Sequence, residues 1–136
     1  TCIEIFLCTD PQMPENVQDF TDKHYQLFIP FDQKEGVNKA VLRRGVTEMA
    51  WAEGSKTAFV ILDKDKGIWT AEAAIPWKAF GNFEPQPGAR YHTNIAMNWG
   101  SPVRTRAFQT FWTANSSRSF AVPAEWGGNL TLMAYE

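Results

Sequence analysis

Cysteine, histidine and excess charge are all scarce in this 136-residue chain. Two Cys and two His are too few for a typical Cys/His metal cluster, and His24 and His92 lie far from Cys2 and Cys8 in sequence. In one extended strand Cys2 and Cys8 stand roughly 20 Å apart, well beyond the 7 Å or so that a disulfide tolerates between Cα atoms. They are expected as free thiols acting as small buried hydrophobes. Thirteen basic residues against fifteen acidic ones leave a net charge of -2. That lacks the basic face a nucleic acid or anionic membrane would need. No apolar run approaches the roughly 18 residues of a membrane-spanning helix. There is no glycine-rich phosphate loop and no nucleophile elbow, so catalysis is not expected. What the chain has in quantity is aromatic surface: six Trp, ten Phe and three Tyr. A domain this small either buries those rings or shows some of them to a ligand.

Short alternating runs between turn signals predict an all-β chain. Strands are expected at Thr1–Thr9, His24–Phe31, Lys39–Arg44, Lys56–Asp63, Ile68–Ile75, Ala89–Trp99, Thr105–Thr113 and Asn129–Ala134. In the first, Ile3, Ile5 and Leu7 face one way while Cys2, Glu4, Phe6 and Cys8 face the other. Pro76 stops the fifth run and can open a single helical turn through Phe80. Asp63-Lys64-Asp65-Lys66-Gly67 begins like a calcium loop, but Ala74 stands where the twelfth, acidic ligand belongs. A hairpin turn is the expectation, with calcium kept only as a structural ion. Strands at this spacing suggest one antiparallel β-sandwich of jelly-roll or immunoglobulin-like type.

No catalytic constellation stands out. Glu4 and Glu72 could be imagined as a glycosidase pair, but so could any two acids in a β protein. Glu4, Gln26, Asn94 and Asn98 are more informative, because each lies opposite clear apolar neighbours on its strand. They either coat a solvated sheet face or form a sugar site. Planar acids and amides suit sugar hydroxyls, and aromatic rings suit the C–H faces. Trp51 could line a groove or pack under a loop.

Several segments resemble the family 9 carbohydrate-binding modules. They are Glu4-Ile5-Phe6, Gln26, Trp69 with Glu72 and Ile75-Pro76-Trp77, Pro85 to Gly88, Asn94 to Asn98, Phe111-Trp112, and Pro123 with Trp126 to Leu132. They occur in the family's order and span nearly the whole chain. The Trp69 to Trp77 piece is the most specific. The resemblance implies a β-sandwich that binds oligo- or polysaccharide, often at a reducing end, with two aromatic rings clamping a sugar. It implies polar contacts from Glu4, Gln26, Asn98 and Asn115 and a ring contact from Phe120. The nearby Trp112, kept as a candidate contact, matches a mainly structural position. Trp126 replaces a Phe in the motif that closes the sandwich and so is expected to be structural. It also implies a secreted, cell-surface or periplasmic setting, with a catalytic domain as the possible partner in the parent chain. The family's opening strands and first clamp ring would precede Thr1. The expectation is therefore a sandwich lacking those strands, or one completed by another chain. Relatives of the same sandwich hold haem b for electron transfer, with axial ligands sought among Met13, Lys23, His24 and Met49. A sandwich that has lost its ligand and serves structure or interaction is the third reading.

Overall fold

A computed structural model of the chain describes residues 2–30, 40–47, 49–63, 65–81, 83–100, 106–113 and 121–133. The strands are β1 (Cys2–Cys8), β2 (His24–Pro30), β3 (Val41–Arg44), β4 (Ala50–Trp51), β5 (Lys56–Asp63), β6 (Ile68–Ala74), β7 (Arg90–Gly100), β8 (Arg106–Phe111) and β9 (Gly128–Thr131). Short 3-10 turns occupy Trp77–Phe80 and Pro123–Glu125. The first turn begins directly after Pro76, as its fixed φ favours.

Seven strands form one antiparallel sheet in the order β4-β3-β2-β1-β7-β8. The long β7 pairs with β8 through Ala96–Gly100 and with β9 through Arg90–Thr93. The centre of the sheet is β1, flanked by β2 and β7, and the alternation of its side chains predicts its two faces correctly. On one face Leu27, Ile29, Ala40 and Ala52 pack with Ile3, Ile5 and Leu42, and Ile75 and Ala79 cover them. Beside this group Leu7, Tyr25, Phe80 and Tyr91 form a second cluster, closed by Phe83 and Leu132. On the other face Phe6, Cys8, Ala96 and Trp126 pack with Met13, Phe20 and Phe111. Both faces of β1 are therefore covered, and the idea that Glu4, Gln26, Asn94 and Asn98 coat a solvated face is corrected. All four are buried. The sequence pattern could not reveal this because Trp126 and the Asp10–Phe20 segment come from outside the strands.

Two glycines mark close approaches. Gly45 (φ +53°) lies where a Cβ would stand 2.9 Å from the Thr21 carbonyl oxygen, so β3 can end against the loop that precedes β2. A Cβ on Gly128 would stand 2.6 Å from the Trp112 ring and 2.7 Å from the Thr93 carbonyl oxygen.

β5 and β6 pair only with each other among the described residues. The Asp63 carboxylate accepts the backbone N–H groups of Asp65 (3.1 Å) and Lys66 (3.0 Å) and closes the turn. The Lys66 N–H, first among the causes, holds the Asp63 carboxyl below its ordinary range. The expected hairpin turn is thus what the segment forms. Val60, Ile61, Leu62 and Ile68 on this hairpin are exposed. Cys2 and Cys8 stand at the two ends of β1 and are not joined by a disulfide, in keeping with their spacing. Burial, the dominant cause, raises the Cys8 thiol above its ordinary pKa, so it stays protonated and unreactive.

Candidate functional site

The centre of the covered face is polar. Glu4 sits opposite Phe28 on β2 and Ala96 on β7. Gln26 and Asn98 each lie two residues from those partners, so they are the diagonal neighbours of Glu4 on the same face. Gln26 Nε2 donates to Glu4 Oε2 at 2.8 Å. Asn98 Nδ2 donates to Glu4 Oε1 and lies 3.3 Å from Cys2 Sγ. Both carboxyl oxygens thus accept an amide N–H. This orients the two amides so that their carbonyl oxygens point away from Glu4. Gln26 Oε1 and Asn98 Oδ1 are buried and lack a hydrogen-bond partner among the described residues. Orphaned acceptors of this kind are rare in folded proteins and mark a place where a donor group is needed.

Of the six residues that the sequence nominated for ligand binding, the fold brings Glu4, Gln26 and Asn98 together. Trp112 is placed elsewhere. It follows Phe111, which pairs with Ala96 on the Glu4 face, and its ring lies over Gly128 and Thr93 on the opposite face. Asn115 and Phe120 lie outside the described residues. Asn94 shares the Glu4 face but is engaged with Thr113. Its Oδ1 accepts the Thr113 hydroxyl at 2.8 Å and its Nδ2 donates to the Thr113 carbonyl at 3.3 Å. Its work is to tie β7 to the residues that follow β8.

The histidines, which seemed unconnected in sequence, converge on Trp126. The ring of His24 stands 5.4 Å from that indole and the ring of His92 stands 6.2 Å away, with Phe6 at 5.5 Å and Phe20 at 5.7 Å. The signal was available. His24 alternates in phase with Gln26 and Phe28, and His92 in phase with Asn94 and Asn98. His24 Nδ1 accepts the Thr21 backbone N–H at 3.0 Å, with the Thr21 hydroxyl 2.9 Å away. A backbone N–H can only donate, so Nδ1 carries no proton in this arrangement. Burial chiefly, and His92 next, lower the His24 pKa below 6.5, while Asp22 opposes them. The unfolded chain then binds a proton that the folded chain resists. Stability is fully present above about pH 7 and falls as the pH drops from 6.5 toward the lower folded pKa. The urea midpoint should decline between about pH 7.5 and about pH 5, and His24→Gln should flatten that decline. A midpoint that rises on acidification would refute a neutral buried His24.

Among the described residues no cluster of three or more His, Cys, Asp or Glu is disposed to hold a metal ion. Of the residues nominated as haem ligands, Met13 packs on the Trp126 cluster, His24 is buried beside it, and Lys23 and Met49 are exposed. A cleft of about 550 Å³ opens on the other face of the sheet, lined by Lys23, Tyr25, Arg44, Phe80 and Phe83. Its two cations already pair with Asp22, Arg44 at 3.2 Å and Lys23 at 3.8 Å. Its cations are thus engaged within the fold, whereas the polar cluster around Glu4 holds two acceptors without partners among the described residues.

No family model matches the sequence, and no curated protein matches it. Solved structures do. A family 9 carbohydrate-binding module from Caldicellulosiruptor kristjanssonii in complex with glucose is similar over 99% of this chain and 60% of its own length, at TM-score 0.64 and 13% identity. A family 9 module from the same organism in complex with cellotriose is similar over 99% of this chain and 58% of its own, at TM-score 0.65 and 13% identity. The chain thus spans about three-fifths of the length of these structures. Its fold is the β-sandwich fold of the family 9 carbohydrate-binding modules.

Proposed function

We propose that this chain binds carbohydrate without transforming it, as a module of a protein that works outside the cytoplasm. The observation that carries the reading is the pair of orphaned acceptors, Gln26 Oε1 and Asn98 Oδ1, held in place by one carboxylate. Sugar hydroxyls are donors of the kind those acceptors need. Glu4 is fully buried, so its part is to fix both amides. The shared fold supports the reading, since the two similar modules carry glucose and cellotriose. Asn115 and Phe120 belong to the proposal through the family pattern, as a further hydrogen-bonding group and a stacking ring. A catalytic domain in the parent protein would be the natural partner of such a module.

Titration calorimetry of the chain with glucose and cellotriose tests this. Saturable heat is expected with at least one of them. Gln26→Ala should weaken it about tenfold or more, the usual order for losing a buried hydrogen-bonding group at a ligand. Binding that is absent with both sugars, and across a broad glycan array, would overturn the proposal.

A further inference from the structure

The Glu4 face does not stop at the polar cluster. One row of directly paired residues runs across the sheet from Glu4 to Phe28, Val41 and Trp51. Directly opposed residues share a face, so the Trp51 side chain stands on the same side of the sheet as Glu4. It closes the row on the two-residue edge strand β4 and is 55% exposed. Phe28 and Val41, between the two ends, are partly buried. In the neighbouring row Arg43 stands opposite Gln26, with its guanidinium 5.8 Å from the Phe20 ring. The row runs from the buried polar cluster at one end, over the partly buried Phe28 and Val41, to an exposed indole at the other.

A single exposed Trp means little by itself, because isolated surface aromatics are normal. Its position in register with the polar cluster is what gives it meaning. Three strand spacings separate the Glu4 and Trp51 backbones, about 14 Å. No single sugar ring spans that distance, whereas a chain of several sugar residues does. We propose that Trp51 is a second contact for the sugar chain, an edge platform on which a residue distant from the Glu4 cluster stacks, and that it selects oligosaccharide over monosaccharide. This inference rests on the reading of Glu4, Gln26 and Asn98 as the sugar site.

The test compares glucose and cellotriose on the whole chain by titration calorimetry. Trp51→Ala should weaken cellotriose about tenfold and leave glucose unchanged, and Trp51→Phe should retain most of the cellotriose affinity. The thermal midpoint of each variant should stay near that of the parent, because the ring is mostly in solvent. An unchanged ratio of the two affinities in Trp51→Ala would overturn the inference while leaving the site itself standing. Failure of the site shows differently: Gln26→Ala would leave both sugars unaffected, and the Trp51 inference would fall with it.

Discussion

Trp126→Ala is expected to destabilise the chain by about 3–5 kcal/mol, the range for emptying a large aromatic from a packed core. The side chain is 1% exposed. Phe6, Phe20, His24 and His92 surround it, so no single neighbour can collapse into the space it leaves. The loss reaches beyond contact area. The Pro123–Glu125 turn leads into Trp126, and the Ala124 N–H donates to the Val17 carbonyl at 2.8 Å, so this ring anchors the long Asp10–Phe20 segment as well. A drop in melting temperature of roughly 10 to 20 °C is the corresponding signal. Trp126→Phe should recover more than half of it. A loss below about 1 kcal/mol for the alanine variant would mean that the covered face is not a true core.

Glu4→Ala is expected to cost a comparable amount for a different reason. Removing the carboxylate strands Gln26 Nε2 and Asn98 Nδ2 without their acceptor, at about 1–3 kcal/mol for each buried donor. Glu4→Gln separates folding from binding. The amide keeps the shape but has one acceptor oxygen and one donor nitrogen, so Gln26 or Asn98 must rotate to present its carbonyl inward. That rotation removes an acceptor from the proposed sugar site. Stability should fall only by about 1–2 kcal/mol, while sugar affinity should fall about 10- to 100-fold. Urea unfolding and calorimetry on the same samples measure both. Wild-type sugar affinity in a folded Glu4→Gln variant would sink the positioning role assigned to Glu4.

Much of the architecture is legible in the residues because period-2 alternation is strong in β1, β2 and β7. Ile3, Ile5 and Leu7 against Glu4, Phe6 and Cys8 set the two faces of β1 before any partner is known. Pro76 and the Asp63 turn are equally plain, since each acts through its own local geometry. Trp112 shows where that legibility ends. Its neighbour Phe111 is in phase with the Glu4 face, so Trp112 falls on the opposite one, and nearness in sequence to a binding motif carries no information about pleat. The burial of Glu4, Gln26 and Asn98 was also beyond reach. Alternation says which residues share a face, but not whether a distant segment such as the one around Trp126 lies over it. Trp51 could not be judged for the same reason. Its meaning depends on register across three strand boundaries, which only long-range pairing supplies.

The β5–β6 hairpin has a kinetic consequence. Val60, Ile61 and Leu62 form a continuous β-branched and aliphatic run, and the strands that bear them have no other strand beside them among the described residues. Backbone groups along such open edges are templates for the strands of another molecule, and the apolar run rewards the encounter. Folding of this chain therefore competes with a second-order reaction whose rate grows with concentration, while correct closure of the sheet around β1 does not depend on it. Dilution thus favours the native sheet, and crowding favours the wrong partner at this exposed hairpin.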